Sequence, residues 1–216
     1  MNTRAVSNIL SCMLLTSLSA NAHTLRFVAF DLQVPAGKCQ LIPENDPERK
    51  STVELGVSRF SSPLSLPPGS YKLVLPDGKT SGILRLAGNA DDKLIVIVTP
   101  GPEGSVGVIT APDEIGSFGS GDRMFINVTG SEIRVQFGER NVVCKPGTVQ
   151  IVKSPKLSEE GRHSVRMAII KDKDWIVFNS TWWPEDSVSR SLVLLLPNPA
   201  TGVPGVKTIE EIPVSG

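Results

Sequence analysis

Two histidines, three cysteines and one tyrosine are spread over 216 residues, and 22 basic side chains meet 22 acidic ones to leave no formal net charge. Each scarcity excludes something. A balanced chain has no field to draw in nucleic acid or an anionic membrane, so neither partner is expected. No apolar stretch approaches the ~20 residues of a membrane-spanning helix, so no membrane insertion is expected either. There is no G-x-S-x-G elbow, and a Ser-His-Asp set would have to recruit one of only two histidines, which gives hydrolysis little support. The acidic pairs Asp91-Asp92, Asp113-Glu114, Glu159-Glu160, Glu185-Asp186 and Glu210-Glu211 lack calcium-loop spacing and read as solvated loop charge. No cofactor motif occurs, and no cofactor is expected.

What the chain does have is a repeat. Residues 94–98 (LIVIV) run into Pro100, Pro102, Gly104, Gly107, Val108 and Thr110. Residues 192–196 (LVLLL) run into Pro197, Pro199, Gly202, Gly205, Val206 and Thr208 in the same order. Each half opens alike, with RFVAF at 26–30 and RMFINV at 123–128, so that Phe27 answers Phe125. A Pro-Gly pair stands before an alternating stretch in both, at Pro68-Gly69 and Pro146-Gly147. One unit present twice argues for tandem duplication.

The first residues read as a leader. Arg4 supplies a basic start, residues 9–18 an apolar stretch about half the length of a span, and Ala20-Asn21-Ala22 a small-residue cleavage site. The expected mature chain starts at His23 and is secreted or periplasmic. Cys12 would leave with the leader, and Cys39 and Cys144 would remain in an oxidising compartment. Two readings stay open for them. Paired, they close a loop of about a hundred residues, worth about 4–5 kcal/mol in the chain-entropy model. Unpaired, Cys144, which falls where the first half has Leu66, is a small buried hydrophobe.

Strand patterns dominate the rest. Ile133, Val135 and Phe137 alternate with polar neighbours, Val142 and Cys144 continue the alternation, and Val149 and Ile151 follow the Pro146-Gly147 turn as a hairpin. With 19 glycines and 17 prolines, few windows are long enough for a helix. The expected fold is therefore all-β: two tandem duplicated β-sandwich-like domains, immunoglobulin-like or related, at 23–115 and 123–216 after a cleaved signal peptide at 1–22. Residues 116–122, rich in Gly and Ser, read as a flexible link. The runs 94–98 and 192–196 have no polar face, so both sides should be dry, which places them at the contact between the halves.

Three sets of side chains are candidates for chemistry. Trp175, Trp182 and Trp183 are all the tryptophans, and exposed rings on a β-sheet face stack on sugars. Adjacent Trp182 and Trp183 must point to opposite sides of a strand. His23, as a new N-terminus, could chelate a metal through its amine and imidazole with His163 completing the site. That arrangement resembles the histidine brace of copper-dependent polysaccharide monooxygenases and of some small periplasmic copper carriers, and the resemblance would imply copper. The sequence as a whole points to an exported, non-catalytic binding, adaptor or envelope-structural module. Its unknown partner would be a protein or a glycan, with carbohydrate binding and copper chemistry as alternatives.

Overall fold

The computed structural model describes residues 22–30, 32, 37–57, 59–88, 91–101, 105–114, 116–156, 158–171, 173–198 and 200–213. The expected leader, apart from Ala22, lies outside them, as do Pro102, Gly104 and Pro199 of the repeated signature. Among the described residues there are sixteen strands and no helix. The first half contributes β1 (His23–Ala29), β2 (Gly37–Pro43), β3 (Ser51–Leu55), β4 (Leu64–Leu66), β5 (Gly69–Val74), β6 (Ser81–Leu86), β7 (Lys93–Pro100) and β8 (Val106–Pro112). The second contributes β9 (Arg123–Asn127), β10 (Ile133–Phe137), β11 (Arg140–Cys144), β12 (Val149–Val152), β13 (Arg162–Lys171), β14 (Asp174–Pro184), β15 (Arg190–Leu196) and β16 (Gly205–Glu211).

These strands form four four-stranded sheets, and the pairing pattern of the first half recurs strand for strand in the second. The inner sheets run β4-β1-β7-β8 and β12-β9-β15-β16; the outer sheets run β3-β2-β5-β6 and β11-β10-β13-β14. Each inner sheet contains one parallel pair, β1 with β7 and β9 with β15, among antiparallel ones. Phe27 stands beside Val96 in the first and Phe125 beside Val193 in the second, so the two phenylalanines occupy equivalent places. The duplication read from the sequence is thus carried by topology.

Three apolar cores separate the four sheets. The first lies between the sheets of the first half and includes Leu25, Phe27, Leu41, Leu73, Leu84, Val96 and Val98. The third lies between the sheets of the second half and includes Phe125, Val135, Phe137, Val165, Val193 and Leu195. The middle one joins the two inner sheets through Val28, Ile95, Ile97, Met124, Ile126, Leu192 and Leu194. The side chains of β7 and β15 therefore divide alternately between a core of their own half and the shared core. This is the physical reason those two runs carry no polar face. The layers close tightly at one margin, where a Cβ on Gly82 of β6 would stand 2.7 and 2.8 Å from Val106 atoms of β8.

Three expectations are corrected. Residues 116–122 are no loose tether: Phe118 is fully buried in the shared core, and Lys153 Nζ donates to the Gly116 and Ser117 carbonyls. The two Pro-Gly pairs are not equivalents. Gly69 opens β5, whereas Gly147 precedes β12, the counterpart of β4, so Leu66 has its counterpart near the end of β12 and not at Cys144 in β11, whose own counterpart is β3. Nor do residues 133–151 form one continuous hairpin sheet. A two-residue loop, with Gly138 at φ 56°, joins β10 to β11, but β12 then crosses to the inner sheet and pairs with β9.

Candidate functional site: the outer face and free edge of the second outer sheet

β14 is the terminal strand of its sheet, paired on one side with β13. It is eleven residues long, and positions 175–183 (WIVFNSTWW) hold no charged side chain. Aromatic and β-branched residues favour a pleated, half-covered surface, which explains the strand. The register with β13 shifts at Met167/Ala168: Val177 opposes Ala168 and Asn179 opposes Met167, leaving Phe178 as a bulge. The bulge turns the alternation by one, so that both Phe178 and its neighbour Asn179 face inward.

Outward from this sheet project Trp175, Val177, Ser180 and Trp182 of β14. Ser164, Arg166, Ala168 and Ile170 of β13 stand beside them, and Arg134 and Val143 lie beyond on β10 and β11. Arg134 reaches across Ala168 to stack its guanidinium 4.4 Å from the Trp175 ring centroid, and Arg162 does the same at 4.9 Å over Trp182. Such cation–π contacts orient the rings and contribute about 0.5–1 kcal/mol each at exposed sites. Even so, Trp182 and Val177 remain 55 % exposed and Ile170 and Val143 about 40 %. Ile176, on the core-facing side, is also 47 % exposed, because among the described residues no strand lies beyond it. Trp183 behaves differently. It is half-buried, stacked on Phe125 at 6.2 Å and tilted against Phe137 at 5.9 Å, as the opposite facing of adjacent residues requires.

The two histidines are not brought together. His23 opens β1 on the side of Leu25 and Phe27, in the core of the first half, with both ring nitrogens buried and unbonded. His163 lies in the core of the second half, edge-on to Phe137 at 5.4 Å, with Nε2 3.7 Å from Glu185 Oε1. Both inner sheets stand between them, so they do not form one brace. No group of three His, Cys, Asp or Glu side chains suited to a metal ion occurs among the described residues. The cysteines are likewise apart: Cys39 is in the first core and Cys144 in the third, both free. No disulfide joins them, and burial pushes their thiols up to about 11 and about 12.

One cluster escaped the sequence reading. Asp113 and Glu211, expected as solvated loop charges, are shared by Arg26 and Arg190 at the junction of the halves. Arg26 Nε donates to Asp113 at 2.7 Å and Nη1 to Glu211. Arg190 Nη2 donates to Asp113 at 2.6 Å and to Glu211 at 2.8 Å. Arg190 also donates to the Phe118 carbonyl at 2.8 Å. Burial alone would lower the Arg26 pKa, but its hydrogen bonds and charge attraction to Asp113 and Glu211 outweigh that and raise it. Two cations and two anions are mutually satisfied here, so the cluster fastens the halves together. The partners lie 21 to 185 positions apart, beyond the reach of any local pattern. Compared with protein-family models and with curated proteins, the chain matches none.

Proposed function

We propose that this is an exported, non-catalytic protein of two duplicated β-sandwich domains, immunoglobulin-like or related. It acts as a binding or adaptor module at the cell envelope through β14. The observation that carries the reading is an eleven-residue edge strand, left half-exposed, whose nine residues 175–183 are free of charge and rich in aromatics. Globular proteins ordinarily blunt such edges with short strands, charge or cover, and exposed apolar concentrations mark interaction sites. A photoreactive benzoylphenylalanine at Val177, introduced in producing cells, tests it against the same group at Lys72, which is exposed on the opposite outer sheet. Discrete adducts are expected from position 177 and none from position 72; equal labelling, or none, overturns the reading.

A glycan is the second reading, favoured by Trp175 and Trp182 sharing one face on the order of 20 Å apart along the strand. It predicts that the protein sediments with insoluble cell-wall polysaccharide and that Trp182→Ala abolishes this. Sedimentation unaffected by the substitution removes it.

A further inference from the structure

Resting on the reading of β14 as the contact strand, we propose that its occupant is β14 of a second copy, added antiparallel about a two-fold axis between Phe178 and Asn179. Residues opposite one another in an antiparallel pair project to the same face. Reversing β14 on itself about this axis sets Trp175 opposite Trp182 and Val177 opposite Ser180, all four pointing outward. It also sets Ile176 opposite Thr181 and Phe178 opposite Asn179, all four pointing inward. The bulge selects this register. Because facing changes by one position at Phe178, moving the axis a residue or two to either side sets an outward side chain against an inward one somewhere along the strand.

Chemistry agrees with the geometry. With no charge between 175 and 183, self-pairing brings no like charges together, and the outward row gains aromatic cross-strand pairs at both ends. Ile176, exposed for want of a neighbour on the core-facing side, acquires one. Asn179, whose Oδ1 is buried without a hydrogen-bond partner, sits beside the axis. The assembly also closes. Pairing consumes both β14 edges, and the far edge of each sheet is β11, five residues long, opening on Arg140 and flanked by Glu139 and Lys145.

Light scattering during size-exclusion chromatography of the purified protein at 1 to 100 µM, an arbitrary working range, tests the proposal. A mass of twice the chain is expected. Val177→Lys and Ser180→Lys, each acting twice through the two-fold, should weaken association roughly tenfold or more. Ser180→Lys alters an already polar, exposed position, so it decides the matter even if Val177→Lys folds poorly. A Val177→Cys/Ser180→Cys double variant should oxidise to a covalent dimer, while either single variant should not. A monomer throughout the range overturns the proposal, as does a dimer that both lysine variants leave intact. A monomer that still gives position-177 adducts with another polypeptide, or sediments with polysaccharide, overturns self-pairing while leaving β14 as the contact strand.

Discussion

Cys39 and Cys144 have thiols pushed up by burial, to about 11 and about 12, in cores that never meet. The thiolate is the reactive form, so Cys39 and Cys144 of the native protein should not react with a thiol reagent at pH 8, and guanidinium should release both. A disulfide would give none in either state. The same shift fixes a sign for pH. A raised folded pKa means the folded state keeps a proton that the unfolded chain loses near pH 8.5, so the contribution is complete below that value and declines as pH rises toward 11 and 12. Denaturation midpoints should fall from about pH 9 upward, and more gently in Cys144→Ala, whatever that variant loses at neutral pH by leaving a cavity. At this scale the sequence was least legible. Both cysteines offered two readings because pairing depends on a Cα separation that no spacing encodes. Asp113 and Glu211 looked solvated because their arginines are distant in the chain.

Secondary elements were more legible, and unevenly so. The alternation of Ile133, Val135 and Phe137 gives β10, and the two runs without a polar face give strands dry on both sides, since periodicity reports burial directly. Turn dipeptides misled. A Pro-Gly pair suits any sharp connection, so it marks a turn without saying which strands the turn joins. Segment 116–122 misled for a related reason: its Gly and Ser content suited a linker, while the single phenylalanine within it decided the outcome. Phe118 fills the shared core, and its ring lies 4.7 Å from the Arg190 guanidinium. Phe118→Ala should therefore cost about 3–5 kcal/mol in urea unfolding, the usual range for a buried aromatic, whereas Ser120→Ala in the same segment should cost little. A loss near zero for Phe118→Ala would restore the tether.

For the whole molecule, the duplicated halves have ceased to be separable. Separation would open the shared core, exposing Val28, Phe30, Ile95 and Ile97 on one side and Met124, Ile126, Leu192 and Leu194 on the other. Each buried side chain of this size contributes about 1.5–3 kcal/mol, so eight of them outweigh the ~5–15 kcal/mol by which a typical domain is stable. It would also split the cluster of Arg26, Asp113, Arg190 and Glu211, leaving charges built for mutual contact without half of their partners. Neither half can pass through an unfolding transition without withdrawing support from the other. Calorimetry should therefore show one transition, with calorimetric and van't Hoff enthalpies equal, and a chain ending at residue 115 should aggregate rather than fold. Arg190→Ala, which removes a guanidinium shared between both acids, should lower that single transition by an amount set by about 3–5 kcal/mol without splitting it. Two resolved transitions, or a folded monomeric first half, would show that each half stands on its own core and that the middle core only docks them.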